Sequence, residues 1–211
     1  MSSINIYPTF NYSQPDDYHF SHDSVFLARQ IFERCQSLLE KPNTKILDLC
    51  SGCGIVGLDF LYHVFKANIN FTGQIDFLEI QEIYLKYFQK NKKTLNDIFS
   101  DSIKKVDINF IQTNYANHKV IKKYDLIISN PPFFLKNQGL LSENEFKNRC
   151  RFFIDSDWQS LIQFIKSSLN LTGQAYFLLR DDLKKVIELE NIKNVSFPFQ
   201  IRGTWVALIK V

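Results

Sequence analysis

Glycine is scarce in this chain, seven residues in 211, yet Gly52, Gly54 and Gly57 crowd one short stretch. Cysteine is scarcer still. The four residues, Cys35, Cys50, Cys53 and Cys150, are too few and too scattered for a disulfide framework, which fits a reducing cytoplasm. Met1 to Phe10 holds no basic segment followed by an apolar core, which excludes a secretory signal at this end. The longest apolar runs fall far short of a membrane span. No Gly-x-Ser-x-Gly elbow and no Gly-x-x-x-x-Gly-Lys-[Ser/Thr] loop occur, so hydrolase and nucleotide triphosphatase chemistry lack support. A large charge excess is also missing. The 25 basic and 22 acidic residues leave +3, so any nucleic-acid footprint must be local. There are no repeats, no low-complexity tract and no linker, and this length is natural for one domain.

What is present is a series of short apolar runs that end in polar residues. Lys45 to Cys50 reads as a buried strand running into Ser51-Gly52-Cys53-Gly54, with a helical stretch following to about Lys66. Strand, Gly-rich turn and helix open the nucleotide-binding half of a doubly wound sheet, and the glycines permit a tight turn with close backbone approach to a ligand. Asp48 ends that strand. It fits a dinucleotide poorly because it stands where a pyrophosphate would bring negative charge, although Gly52, Gly54 and Gly57 supply the dinucleotide spacing. A second strand, Gly73 to Leu78, ends in Glu79, whose carboxylate can accept hydrogen bonds from both hydroxyls of a ribose. A third, Asp107 to Gln112, ends in Thr113-Asn114-Tyr115, where an amide and a ring can meet an adenine or simply form a turn.

The fourth strand, Tyr124 to Ser129, ends in Asn130-Pro131-Pro132-Phe133. Two prolines cannot continue a sheet ladder, and the residue before a proline is held extended. Asn130 is therefore expected to stand rigidly at the carboxyl edge of the sheet, where open α/β sheets place their ligands. A carboxamide has no acid-base function but accepts and donates hydrogen bonds. With the Pro131 carbonyl it can accept both protons of a planar amine, while Phe133 stacks on the group that carries it. The bland alternative is a strand and a polar turn, with Phe133 and Phe134 as core anchors.

The remaining elements complete the outline. Val25 to Leu39 reads as a helix capped by Ser21 or Asp23, and Glu82 to Phe99 as another, with Lys90, Lys92 and Lys93 on a solvated face. Leu135 to Arg151 has no clear periodicity and reads as a mobile loop over the site, carrying Lys136, Lys147, Arg149 and Arg151. Asp155 to Asn170 reads as a helix capped by Asp155 or Ser156, Gln174 to Leu179 as a fifth strand and Asp181 to Glu190 as a short helix. Val195 to Ile201 and Thr204 to Val211 form a hairpin through Arg202-Gly203. Cys50 and Cys53 form a Cys-x-x-Cys, but no second Cys/His pair exists to complete a zinc site, and any small residue suits both positions. His22 beside Asp23 is a helix start rather than a catalytic pair.

Taken together, Asp48-Leu-Cys-Ser-Gly52-Cys-Gly54, Glu79, Asn114 and Asn130-Pro-Pro-Phe133 at successive strand ends resemble the class I S-adenosylmethionine-dependent methyltransferases that carry Asn-Pro-Pro-aromatic. The resemblance runs from about Phe20 to Val211. Tyr18-His-Phe-Ser-His-Asp-Ser-Val-Phe-Leu-Ala28 and Phe77-Leu-Glu79-Ile-Gln81 are further similar to the bacterial adenine-N6 methyltransferases of valine tRNA. Phe133 and Asn114 depart from the Tyr and Asp commoner there, and the acid expected beside Arg151 is absent.

The resemblance implies a Rossmann-like α/β fold with seven mostly parallel strands, helices on both faces and an antiparallel C-terminal hairpin. Residues 1–42 would be a lead-in and helix, and 43–211 the core of a single domain. It implies S-adenosyl-L-methionine as cofactor, held by Asp48, Cys50, Ser51, Gly52, Gly54, Glu79, Ile80, Asn114, Tyr115 and Asn130. Asn130, Pro131, Pro132 and Phe133 would be catalytic, with no metal and no general base, and orientation of the amine would carry the rate. Phe134, Lys136, Lys147, Arg149 and Arg151 would hold the substrate, an RNA and in particular a tRNA, in the cytoplasm, with monomer or weak dimer left open. Guanine-N2 methylation, protein-glutamine methylation and a non-catalytic cofactor-binding subunit are the alternatives.

Overall fold

The computed structural model describes residues 11–118, 123–135 and 139–210. Its elements run α1 (Asp23–Leu39), β1 (Lys45–Leu49), α2 (Ile55–Lys66), β2 (Gln74–Glu79), α3 (Tyr84–Ile98), α4 (Ser100–Ile103), β3 (Asp107–Gln112), β4 (Tyr124–Ser129), α5 (Glu145–Arg151), α6 (Trp158–Ser168), β5 (Leu169–Leu179), α7 (Asp181–Leu189), β6 (Val195–Ile201) and β7 (Thr204–Lys210). The sheet order is β3-β2-β1-β4-β5-β7-β6. β1 to β5 pair in parallel, and β7 is antiparallel to both β5 and β6. This is the expected Rossmann-like arrangement.

The central strands β1, β2 and β4 are almost wholly buried because both faces are covered, while the edge strands β3 and β6 are half-exposed. Side chains alternate with period two between two cores. Ile46, Phe77, Leu126, Ile128, Tyr176 and Leu178 face the side of α1 and α2. Leu47, Leu49, Leu78, Ile127, Ala175 and Phe177 face the side of α6 and α7. The register aligns the carboxyl ends of the central strands, with Leu49 opposite Leu78 and Ser129, and Glu79 opposite Gln112. Chain direction reverses its progress between β1 and β4, and that switch point opens a crevice beyond the strand ends. Arg202 and Gly203 both take positive φ, 49° and 87°, as a tight two-residue hairpin turn requires.

Several boundaries differ from the sequence reading. α1 starts with His22 at its N-cap, and neither Ser21 nor Asp23 caps it by side chain. Asp23 instead accepts a hydrogen bond from the Thr204 hydroxyl at 3.0 Å. α6 starts three residues later than Asp155 and is capped by Asp157, which accepts from the Ser160 amide at 2.7 Å. Leu169 and Asn170 belong to β5, not to the helix before it. The stretch read as an irregular loop holds α5, capped by Asn144, whose side chain accepts from the Lys147 amide at 3.0 Å. Its far end is pinned, since the amides of Phe133 and Phe134 both donate to the Arg151 carbonyl, at 3.0 and 2.9 Å.

The segment before α1 is fastened to the sheet. Asn91 on α3 accepts from the Ser13 amide at 2.6 Å and donates to the carbonyls of Ser13 and Cys53, both at 2.9 Å. The Tyr12 hydroxyl donates to Asp59 at 2.7 Å. These bonds draw the lead-in across the Gly turn.

Candidate active site

The turn after β1 takes a conformation few residues tolerate. Cys50, Gly52 and Gly54 have φ of 59°, 54° and 82°. A Cβ on Gly54 would lie 2.7 Å from the Phe88 ring, so glycine is required there for space as well as for conformation. The turn is closed by the Gly54 amide donating to the Ser51 carbonyl at 2.8 Å. From below, Glu79 braces it. One carboxylate oxygen accepts from the Gly52 amide and the other from the Gln81 amide, each at 2.8 Å. Burial raises the Glu79 carboxyl, and the amides of Gln81, Gly52 and Ile80 work against that. Two oxygens with further lone pairs remain able to accept from a ligand.

Asp48 sits one layer deeper. It is fully buried, and its Oδ2 accepts from the Gly57 amide at 2.8 Å while Oδ1 finds no hydrogen-bond partner. Burial pushes its carboxyl up to about 8, the Gly57 amide opposes this, and the Glu79 charge adds to it. Its place is beneath the turn and behind the residues that line the cavity.

At the end of β4, Asn130 is half-buried, and its carboxamide is held at one end only. Nδ2 donates to Ser24 Oγ at 2.7 Å, and Oδ1 is buried with no hydrogen-bond partner. Ser24 is 2% exposed on the first turn of α1. Together they present an acceptor with nothing to accept from, beside the ring of Phe133.

These pieces meet in one cavity, which encloses about 1030 Å3 counted out to its solvent mouth. Cys50, Ser51, Gly52, Glu79, Ile80, Asn114, Tyr115, Asn130, Pro131, Pro132, Phe133 and Arg149 of the expected site residues line it. Asp48, Gly54, Phe134, Lys147 and Arg151 stand outside its wall, and Lys136 lies outside the described residues. The Ser51 hydroxyl is buried there without a partner. Asn114 is already engaged at both ends of its amide. Nδ2 donates to the Asp155 carbonyl at 3.0 Å, and Oδ1 accepts from the Ala116 amide at 2.9 Å. Arg149 forms a two-pronged pair with Asp155 at 2.9 and 3.0 Å, so its charge is answered within the fold. The cysteines are free thiols. Burial raises Cys50 and pushes Cys53 up to about 12, which suits inert packing and not redox chemistry. Among the described residues no group of three or more His, Cys, Asp and Glu side chains could hold a metal ion.

The sequence reading missed one side of the cavity. Gln14, Tyr18, Phe20 and Ser24 reach it from the lead-in and α1, Gln81 from the turn after β2, and Tyr84 and Cys150 from α3 and α5. The Tyr84 hydroxyl lies 3.2 Å from Cys150 Sγ. Those of the lead-in are brought in by tertiary bonds such as the Asn91 fastening of Ser13, which leave no local mark in the sequence.

A doubly wound sheet with a Gly turn braced by an acid after β2, and an orphaned acceptor at the end of β4, defines a nucleoside-binding α/β protein. Residues 17–146 match the family model of the methyltransferase small domain, and the chain belongs to that family. Among its relatives, tRNA1(Val) (adenine(37)-N6)-methyltransferase of Aliivibrio fischeri is 28% identical over 136 residues, covering 64% of this chain and 52% of that protein. Release factor glutamine methyltransferase of Borreliella burgdorferi is 32% identical over 161 residues, covering 75% of this chain and 46% of that protein. The chain spans about half the length of the curated relatives it matches. TrmN from Thermus thermophilus shares the fold with a TM-score of 0.56 at 13% identity, over 89% of this chain and 49% of that one. The human methyltransferase 10 domain containing protein does so with 0.55 at 14% identity, over 98% and 91%.

Proposed function

We propose that this chain is an S-adenosylmethionine-dependent N-methyltransferase acting on the exocyclic amine of a base in RNA, adenine N6 in a tRNA. The observation that carries this is the Asn130 carboxamide, fixed at its nitrogen by Ser24 with its buried oxygen left unpartnered. An unmet buried acceptor costs about 1–3 kcal/mol, and a donor from the substrate removes that cost. The Asn130 oxygen and the Pro131 carbonyl accept the two N–H groups of the target amine, which directs its lone pair. Phe133 offers a face on which the base, taken out of its stack, is held.

The donor set fits S-adenosylmethionine. Glu79 retains lone pairs for ribose hydroxyls, Ser51 Oγ is a free buried polar atom, and Ile80 and Tyr115 supply apolar wall. Asp48 acts through Gly57 and the turn rather than by direct contact. Asn114 keeps only one N–H and one lone pair for an adenine edge, because its other positions are bonded. When bound, the cofactor supplies a methyl group activated on a sulfonium. The chain supplies alignment, which is where proximity and orientation yield their rate.

The relatives named for tRNA adenine methylation support the RNA reading, and those named for release-factor glutamine methylation favour the second one, a protein glutamine amide. Both amines are planar and suit Asn130 equally. We further read the chain as one domain acting in the cytoplasm. Among the described residues no helix is long and apolar enough to cross a membrane. The test is transfer of labelled methyl to RNA, DNA and protein fractions from cells lacking this gene. Label appearing as 6-methyladenosine in small RNA is expected, and it is lost with Asn130→Ala. Label in protein alone would move the assignment to glutamine, and undiminished transfer by Asn130→Ala would overturn the role of the carboxamide.

A further inference from the structure

Arg180, which no sequence argument singled out, follows the last residue of β5 and is exposed. Its guanidinium carbon lies 5.6 Å from the ring centre of Phe133 and 5.0 Å from that of Phe134. Arg151, at the end of α5, lies over the same Phe134 ring at 5.4 Å and over Phe152 at 5.5 Å. Two guanidiniums thus share one aromatic ledge, next to the Phe133 that lines the cavity. Both charges also act on the Tyr18 hydroxyl, a lining group, and pull it down against the rise that burial causes.

Neither arginine has a carboxylate partner among the described residues. Of the acids close by in sequence, Asp155 pairs with Arg149 and Asp181 accepts from the Trp205 indole N–H at 2.6 Å, while Asp182 is exposed in the first turn of α7 and forms no ion pair with Arg180. Like charges gathered on one ring repel each other, and an anion bridging them relieves that repulsion. The planar fork of a guanidinium matches the two free oxygens of a phosphodiester, and contact with Phe134 holds both guanidiniums beside one ring.

We infer that Arg151 and Arg180, seated on Phe134, clamp a backbone phosphate next to the nucleotide whose base enters the cavity. The inference rests on the RNA reading above, since a glutamine side chain brings no such anion. It reassigns the cationic contact at the cavity mouth. Arg149, already paired, is not part of it, and Arg180 is.

The test measures binding of unfractionated tRNA, from cells lacking this gene, to the full chain across a salt series. With wild type, log Kd rises linearly with log salt. Removing the clamp with Arg151→Ala/Arg180→Ala should lower that slope by about 0.7–0.9, one phosphate's worth, and weaken binding by about 10- to 100-fold at fixed salt. Arg149→Ala should leave the slope unchanged, and Arg180→Lys should keep it while weakening binding less than Arg180→Ala does. S-adenosylhomocysteine affinity, read by calorimetry, should stay within about twofold throughout. If Arg151→Ala disturbs Phe152 and loses that affinity, Arg180→Ala alone decides, because its side chain is exposed. Wild-type binding with a slope that Arg180→Ala leaves intact overturns the clamp only. A wild-type chain that binds no tRNA in a salt-dependent way overturns the RNA reading and the clamp together.

Discussion

Ser24 is the residue whose removal tests the site most sharply. Its Oγ accepts the only hydrogen bond found for the Asn130 Nδ2 among the described residues, at 2.7 Å, in a position that is 2% exposed. Ser24→Ala removes one atom and leaves a half-buried N–H without its partner, a cost of about 1–3 kcal/mol. Part of that is escaped if the carboxamide turns, and turning it presents N–H donors where the substrate amine needs an acceptor. The loss then falls on the oriented complex. At 1.36 kcal/mol per factor of ten, kcat should drop by about 5- to 150-fold, with cofactor affinity near wild type. Steady-state transfer of labelled methyl to RNA gives kcat and KM, and calorimetry gives the affinity for S-adenosylhomocysteine. The decisive comparison is a double-mutant cycle with Asn130→Ala. If Ser24 acts through Asn130, the double variant is no slower than Asn130→Ala alone. Additive losses, or a Ser24→Ala enzyme with unchanged kcat beside an inactive Asn130→Ala, would refute the reasoning.

Other consequences are as measurable. Asp48 is raised from 3.8 to about 8, so it contributes stability that is full below about pH 4 and lost as pH rises through 8. Across that window this group should take about 1.4 kcal/mol per pH unit from wild type; Asp48→Asn should flatten the slope of denaturant-derived stability, and Glu79, also raised, acts in the same direction. Gly57→Ala would put a Cβ 2.5 Å from Phe77 Cε1 and 3.0 Å from Asp48 Oδ2, so despite its better helix propensity it should cost about 1–2 kcal/mol, lowering Tm by about 2–8 °C in a thermal melt. Raised thiols should make Cys53, which is buried, and Cys50, half-buried at the cavity wall, react slowly with a thiol reagent at pH 7, and the full count of four should appear only after unfolding.

The central strands were legible because each is a short β-branched run closed by residues that cannot extend it. β3 and β4 fall at the expected bounds, Asp107–Gln112 and Tyr124–Ser129. The residues closing those runs line the crevice for the same reason, since a parallel sheet puts its strand ends together. α5 was not legible. It has seven residues, too short to show a period, and it is held by the Asn144 cap and by Asn148, which takes the Ser142 amide at 2.9 Å. The helix caps went astray because Ser21, Asp23 and Asp155 are all competent in isolation, and tertiary partners such as Thr204 and Arg149 claimed two of them. Arg180 was within reach of the same strand-end logic that found Asn130. It closes β5, the next strand along, but nothing local marks an arginine there as more than a helix lead-in.

The site combines two kinds of residue that answer to different selection of place. Asp48, Glu79 and Asn130 are polar groups buried at the sheet edge, and the fold meets each of them only in part. Asp48 and Asn130 each keep one oxygen without a hydrogen-bond partner, and Glu79 uses both oxygens to hold the turn. Buried groups left partly unmet cost the fold, and at Glu79 and Asn130, which line the cavity, a ligand can meet them. The rim is the reverse. Arg180 is exposed and Arg151 half-buried, and their value lies in charge that a ligand neutralises. Substituting the inner set should therefore change stability, as Asp48→Asn is expected to do. Substituting the rim should change the salt dependence of RNA binding and leave the thermal melt where it was. A chain in which both sets moved the melt equally would mean that the rim arginines are structural, and that the substrate enters elsewhere.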